Sequence, residues 1–162
     1  MASASSSSSV TRHWKYDVFL SFNSEDRSFA SELYDTLADE GIKIFRDDDI
    51  VLDKETALSS KIFTAIENSR FSVIILSKKY AFSDWCLKKL AKIVECENEI
   101  GQTILPVFLD VCPSEVQNQT GEFGEAFELQ VEYFEENLEV VKKLRAALTK
   151  VSNIPGWTLY EA

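Results

Sequence analysis

Four short, mostly apolar runs are spaced along the chain between polar loops and longer segments of helical periodicity. They occupy residues 16–22, 42–45, 71–76 and 103–109. Continuous apolar runs without strict alternation are typical of strands that a parallel sheet buries on both faces. We therefore predict four strands, the first of them central, and no fifth strand is evident in the pattern. Within the fourth run, Pro106 lacks an amide hydrogen, which favours a sheet edge or a bulge there.

Helical spacing links these runs. Apolar residues recur at this spacing in two segments before the third strand: Phe29, Leu33 and Leu37, then Leu58, Ile62 and Ile66. After the third strand, a loop over residues 77–83 leads to a helix that Ser83 or Asp84 can cap and that Gly101 ends. Three more helices are predicted farther along, near residue 115, over residues 123–134 and over residues 141–151.

The alternation of strand and helix with short connections predicts an α/β fold. The economical architecture is flavodoxin-like, a doubly wound parallel sheet with helices on both faces. If the strand order is 2-1-3-4-5, it reverses between the first and third strands, and ligands bind in the crevice outside the carboxyl ends of those strands. Residues 23–27 and 78–89 should then border this crevice.

The composition narrows the classes of protein. At 162 residues with 45% hydrophobic side chains, the chain is predicted to fold as one domain. Its net charge of −10 would repel a phosphate backbone, so no nucleic-acid partner is expected. No apolar run approaches the roughly 18 residues of a membrane span, so no membrane partner is expected either. The three cysteines and the single histidine, His13, show no ligand spacing, and no metal site is predicted.

The end of the third strand excludes the phospho-acceptor chemistry of other flavodoxin-like domains. Leu76-Ser77 stands where a receiver domain would need an aspartate. Dinucleotide-binding and Walker loops need glycines after the first strand, and none precedes Gly41. The crevice keeps polar and aromatic groups, among them Trp85, which shares a helix face with Lys89 four residues later. Trp85 can either pack against the sheet or stack on a ligand, and the pattern leaves both open.

The two ends of the chain differ from its middle. Residues 1–13 form a serine-rich, low-complexity lead that we expect to be disordered. A short organellar transit peptide is the alternative for this segment. Residues 14–158 are predicted to form the folded domain and residues 159–162 a polar tail. We expect the domain to belong to a longer protein.

Seven segments form an ordered series along the chain. They read YDVFLSF at 16–22, FRDD at 45–48, AIENSR at 65–70, SKKYA at 77–81, SDWCL at 83–87, LPVF at 105–108 and QTGEFG at 119–124. In this order they resemble the successive motifs of plant TIR (Toll/interleukin-1 receptor-like) domains, the N-terminal signalling modules of intracellular immune receptors. Residues 146–149 and 156–157 are similar to that module's closing helix. The resemblance implies a five-stranded, flavodoxin-like sheet over residues 14–158.

The resemblance also implies a function. Domains of this family associate when the receptor detects a pathogen, and many then cleave the nicotinamide–ribose bond of NAD. The implied partner is the chain itself or another TIR domain, and NAD+ is implied as a substrate or ligand, with no cofactor. The implied location is cytoplasmic, with the nucleus as a second one. Six residues are candidates for an NAD pocket: Phe22, Asn23, Ser24, Ser83, Trp85 and Cys86.

One departure from the family affects the chemistry directly. The family's catalytic acid is a glutamate in the pattern Trp-Cys-Leu-x-Glu-Leu, whereas residues 85–90 here read WCLKKL, which puts Lys89 at that position. A carboxylate stabilises the positive charge that develops on the ribose as nicotinamide leaves, and an ammonium opposes it. We therefore predict that Lys89 is non-functional as a catalytic residue and that NAD hydrolysis is weak or absent.

Three further departures affect loops and association. Asn23-Ser24 replaces the Arg-Gly of the first loop, and residues 52–55 lack the glycine expected in the second. On the first helix, Ser31-Glu32 replaces a Ser-His pair used in self-association, and two glutamates facing across a two-fold contact would repel. The predicted function is a TIR signalling and interaction module that acts by homotypic or heterotypic association. The alternative is an active NAD+ nucleosidase that produces nucleotide signals for cell death.

Overall fold

The computed structural model describes residues 13–46, 55–132 and 137–160. Its strands are β1 (Tyr16–Ser21), β2 (Ile44–Arg46), β3 (Ser69–Leu76), β4 (Thr103–Leu109) and β5 (Trp157–Leu159). Its helices are α1 (Arg27–Asp39), α2 (Glu55–Glu67), α3 (Lys78–Ala81), α4 (Asp84–Ile100), α5 (Pro113–Asn118), α6 (Gly121–Val131) and α7 (Leu138–Ser152), with a 3₁₀ turn at Ser24–Asp26. Residues 1–12 of the predicted serine-rich lead (residues 1–13) and residues 52–54 of the predicted second loop (residues 52–55) lie outside the described residues.

The described strands form one sheet in which every neighbouring pair is parallel. Their order is β2-β1-β3-β4-β5, with Leu20 opposite Val73 and Ile74 opposite Pro106. This confirms the predicted order and places its reversal between β1 and β3. The connections after these two strands leave in opposite directions, so a crevice opens beyond their carboxyl ends.

The strand β5 is one of the described elements that the sequence pattern did not predict. It has three residues and pairs with β4 from Val107 to Leu109. Trp157 keeps 58% of its surface exposed, so the strand has no buried apolar run. The expectation that residues 156–157 belong to a closing helix is wrong, because α7 ends at Ser152 and Trp157 begins β5.

Pro106 lies where β4 changes from an edge strand to an inner one. β3 pairs with β4 from Thr103 to Phe108, whereas β5 pairs with it only from Val107 onward. The expected edge position is therefore confirmed for the first half of β4 and wrong for the second. The chain enters β5 through Gly156, where a Cβ would lie 2.1 Å from the Pro106 carbonyl oxygen. Only a residue without a side chain fits this approach.

The strands bury apolar side chains on both faces of the sheet. One layer joins α1 to Val18, Leu20, Val73 and Ile75. The other joins α2, α4, α6 and α7 to Phe19, Ile74, Leu76 and Phe108. Successive strand residues point to opposite faces, so a sheet covered on both sides needs apolar residues at nearly every position. This explains the continuous runs of the sequence and confirms helices on both faces.

Local signals fix the ends of the helix α4. Ser83 is its N-cap, and the side-chain oxygen accepts a 3.1 Å hydrogen bond from the Cys86 amide. Gly101 ends it with φ at 73°, a left-handed conformation that favours glycine. The predicted loop over residues 77–83 is not entirely a loop, because it contains α3, whose N-cap is Ser77. Across the described ranges, no helix combines the length and apolar character that a membrane span requires.

Candidate functional site

A cleft of about 140 Å³ opens beyond the carboxyl end of β1, beside the start of α4. Seven residues line it: Phe22, Asn23, Ser24, Ser83, Trp85, Cys86 and Lys89. All six pocket candidates from the sequence are thus in one place, together with Lys89. Typical small-molecule pockets measure roughly 300–1,000 Å³, so the cleft formed by the described residues is small.

Two chain segments supply these seven side chains. Phe22 follows β1 directly, and Asn23 caps the 3₁₀ turn by accepting a 2.9 Å hydrogen bond from the Glu25 amide. Ser83 caps α4, and the other three residues lie on its first turns. Lys89 comes three residues after Cys86 and four after Trp85, so both neighbours share its side of the helix.

Weak polar contacts join the two segments across the cleft. The Asn23 side-chain amide donates to the Cys86 sulfur at 3.9 Å, and that thiol donates to the Phe22 carbonyl oxygen at 3.8 Å. Burial raises the pKa of Cys86 to about 11, and hydrogen bonds from Ser83 and Asn23 offset only part of this effect. Cys86 therefore stays a neutral thiol at neutral pH and acts here as a packing and hydrogen-bonding group.

A second set of contacts below the cleft was not predicted from the sequence. The Ser77 hydroxyl donates a 2.6 Å hydrogen bond to Asp26, a buried carboxylate that also lies 3.9 Å from the Lys79 ammonium. The hydroxyl groups of Tyr80 and Ser21 are 2.9 Å apart in the core. The Ser77–Asp26 contact ties the loop after β1 to the end of β3, and the Tyr80–Ser21 contact ties β1 to α3. An acidic residue in a polar loop carries no sequence signal of burial, so Asp26 could not be singled out.

Lys89 is the basic residue among the seven that line the cleft, and it is 1% exposed. Burial lowers its pKa from 10.5 to about 7, because the charged form loses its hydration. The amine nitrogen lies 5.7 Å from the centroid of the Trp85 ring, a contact that favours the charged form by about 0.5–2 kcal/mol. The effect of burial is larger than this contact, so a substantial fraction of Lys89 is neutral at neutral pH.

Trp85 both packs within the fold and lines the cleft, the two possibilities that the sequence left open. Its ring stacks on Phe63 of α2 with centroids 5.8 Å apart and planes 20° from parallel, so it packs in the fold. It also lines the cleft, where part of its surface faces any bound molecule. The stacking on Phe63 holds the ring in one orientation.

The proposed association residues lie apart from the cleft, on α1. Ser31 accepts a 3.1 Å hydrogen bond from the Arg46 guanidinium, which also lies over the rings of Phe22 and Tyr34. Its hydroxyl is thus engaged within the domain. Glu32 is exposed and places a negative charge on the outer surface of α1.

The parallel sheet and the cleft at its switch point define a flavodoxin-like α/β domain. Residues 15–161 match the sequence profile of the family described as TIR domain, and the chain belongs to that family. The same fold is seen in the TIR domains of the activated Roq1 resistosome, a structure described as directly recognising the pathogen effector XopQ. The match has 42% identity and a TM-score of 0.78, and covers 90% of this chain and 88% of that one.

Curated relatives are plant resistance proteins. TMV resistance protein N of Nicotiana glutinosa is 43% identical over 158 residues, which are 96% of this chain and 13% of that protein. Disease resistance protein RPV1 of Vitis rotundifolia is 43% identical over 162 residues, which are 99% of this chain and 11% of that protein. The chain therefore spans only about an eighth or less of the length of these relatives.

Proposed function

We propose that this chain is the signalling and interaction module of a plant immune receptor, and that it hydrolyses NAD weakly or not at all. Three findings support the first part: membership of the TIR family, 43% identity to plant resistance proteins, and similarity to TIR domains of an activated resistosome. The partner is a second copy of the chain or another TIR domain. The expected location is the cytoplasm, with the nucleus as a second one.

The observation that carries the second part is the chemistry of the cleft walls. None of the seven described residues that line the cleft has a carboxylate, and Lys89 stands at the position of the family's glutamate. Cleavage of the nicotinamide–ribose bond builds positive charge on the ribose. A protonated Lys89 opposes that charge, and a neutral Lys89 supplies no negative charge to stabilise it. With either form of Lys89, cleavage of the nicotinamide–ribose bond is slower than with a carboxylate at this position.

The test is nicotinamide release from NAD+ by the purified domain at high concentration. Lys89→Glu restores the carboxylate, and Lys88→Glu is the matched control. Lys88 is the exposed neighbour, paired with Asp84 at 3.3 Å, so its substitution makes the same charge change outside the cleft. We expect no release by the parent or by Lys88→Glu, and release by Lys89→Glu.

Each other outcome has a distinct meaning. Failure of all three proteins would show that the domain lacks more than the carboxylate, which also leaves it a non-enzymatic module. Release of nicotinamide by the parent protein would contradict the proposal of weak or absent hydrolysis. It would favour the second candidate function, an active NAD+ nucleosidase, which the retained Ser83, Trp85 and Cys86 at the cleft support.

Association through α1 is tested separately. In a two-fold contact centred on this helix, Glu32 of one copy would face Glu32 of the other, and like charges at an interface oppose association. Glu32→His restores the residue type that the family uses there and should strengthen self-association, measured by sedimentation at several protein concentrations. Glu40→His, at an exposed residue just beyond the helix, is the control for the change in net charge. Equal self-association of all three proteins would show that Glu32 does not weaken the contact.

A further inference from the structure

A groove of about 580 Å³ borders the cleft at Asn23 and runs between α3 and α6. Phe82, at the end of α3, and Leu129, on α6, line this α3–α6 groove, and 53% and 50% of their surfaces are exposed. The core side of α6 is supplied by other residues, Phe123 and Phe127, which are fully buried. Single exposed apolar residues are common on proteins, but exposed apolar side chains that share one concave surface are typical of interaction sites.

The walls of the α3–α6 groove are held together without a partner. The side-chain amide of Gln130, a largely buried residue of α6, donates a 3.0 Å hydrogen bond to the Phe82 carbonyl oxygen. The Lys78 ammonium of α3 forms a 3.1 Å ion pair with Glu122 of α6. A partner therefore meets a surface that already has its shape, and binding does not carry the cost of ordering it.

The charge that the groove offers to a partner is negative. Both of its lysines are engaged within the domain, Lys78 in the ion pair just described and Lys79 with the buried Asp26 at 3.9 Å. Glu25 and Glu125 are exposed and also line the groove, and neither forms an ion pair with another described residue. Two uncompensated carboxylates beside an apolar surface attract a cationic partner and repel an acidic one.

The walls also favour one form of partner. Both belong to helices, whose backbone groups are paired within the helix, so an extended peptide finds no strand edge to pair with at this groove. A helix satisfies its own backbone hydrogen bonds and packs by inserting its side chains between those of its neighbours. A helix is therefore the element that this surface fits.

We propose that the α3–α6 groove docks a basic amphipathic helix of another protein. An apolar side chain of that helix inserts between Phe82 and Leu129, and lysine or arginine side chains one turn away reach Glu25 and Glu125. A second copy of this chain is a less suitable occupant, because its net charge is −10. The inference goes beyond the proposed function, because the surface uses neither α1 nor Lys89 and the partner is not a TIR domain.

The test uses two fluorescent synthetic peptides, each a helix of roughly 14 residues, or about four turns, with leucines on one face. The opposite face carries lysines in the first peptide and glutamates in the second. Binding to the purified domain is measured by fluorescence anisotropy. We expect the lysine peptide to bind at least about tenfold more tightly than the glutamate peptide, and added salt to weaken its binding.

Two pairs of variants locate the binding site. Leu129→Ser should weaken binding of the lysine peptide about tenfold, whereas Leu138→Ser, at a leucine of α7 that is 70% exposed, should change it less than about twofold. Glu125→Lys should also weaken it about tenfold, and Glu40→Lys, the same change at an exposed residue beyond α1, should not. All four positions are exposed, so the core is unchanged in each variant.

Three outcomes would overturn the proposal. Equal weakening by the variants and their controls would mean that the peptide binds the acidic surface at large, and equal affinity for the two peptides would mean that charge does not select the partner. Loss of self-association in Leu129→Ser, measured by sedimentation, would make a second copy the occupant of the groove. None of these results bears on nicotinamide release or on Glu32, so the proposed function is tested independently.

Discussion

Replacing Lys89 with methionine should stabilise the domain at neutral pH. Methionine has a similar length and no charge, so it fills the same space without the cost of burying an ammonium. The fall in the pKa of Lys89 from 10.5 to about 7 corresponds to about 5 kcal/mol of lost stability at low pH, at about 1.4 kcal/mol for each pH unit. At pH 7, where the folded group is half titrated, the loss is about 4 kcal/mol. The Trp85 ring contact returns about 0.5–2 kcal/mol of this. We expect a gain in the free energy of unfolding of about 2–4 kcal/mol.

The pH dependence gives the sharper test. Between the folded pKa of about 7 and the unfolded value of 10.5, the unfolded chain holds a proton on Lys89 that the folded chain lacks. Stability therefore rises with pH through this window, and the penalty is complete only below the folded pKa. The advantage of Lys89→Met over the parent should shrink by about 2 kcal/mol from pH 7 to pH 9.

The assay is urea unfolding of both proteins at several pH values in this range. Comparing the two curves removes the contribution of other titrating groups, including Cys86, whose raised pKa lowers stability only above about pH 9 in both proteins. Lys88→Met, at the exposed neighbour of Lys89, should leave the pH dependence unchanged. A constant difference between parent and Lys89→Met across the range would refute a desolvated lysine in the cleft.

Three other changes test the fold around the site. Gly156→Ala should destabilise the domain by about 1 kcal/mol or more, measured by thermal melting, because its Cβ would lie 2.1 Å from the Pro106 carbonyl oxygen; no loss would mean that β5 can move. Ser83→Ala removes the cap of α4 and should cost about 1 kcal/mol in urea unfolding, an effect that exposed Ser114→Ala should not share. A thiol reagent should label exposed Cys112 quickly and buried Cys86 and Cys96 only on unfolding, and equal rates would contradict their burial.

The strands could be predicted where burial on both faces of the sheet requires a continuous run of apolar residues. β1, β3 and β4 are covered on both faces, so their apolar residues run without interruption and their positions agree with the prediction to within two residues. β5 gave no such signal, because three exposed residues can join a sheet through backbone hydrogen bonds alone. Backbone pairing does not depend on side-chain type. Whether these three residues form an edge strand therefore depends on their position beside β4 and not on their own sequence.

The location of the cleft could be predicted from the sequence, but the burial and the lowered pKa of Lys89 could not. Strand order alone places the loops after β1 and β3 together. The burial of Lys89 had a signal that was not used: it lies three residues after Cys86 and four before Ile93, on the buried stripe of α4. Its lowered pKa follows from burial, whose extent depends on what packs over that stripe in three dimensions, and a helix pattern cannot contain this information.

Several contacts that position the walls of the cleft do not involve Lys89. Asp26 and Ser77 join the loop after β1 to the end of β3, and Ser83 fixes the start of α4. All three lie outside the part of α4 that carries Lys89, so the charge at this position can change while the walls stay in place. These contacts of the scaffold therefore do not depend on the charge at position 89. Because the same walls surround either side chain, the effect of Lys89→Glu on NAD cleavage measures the chemistry of one position and not the assembly of the site.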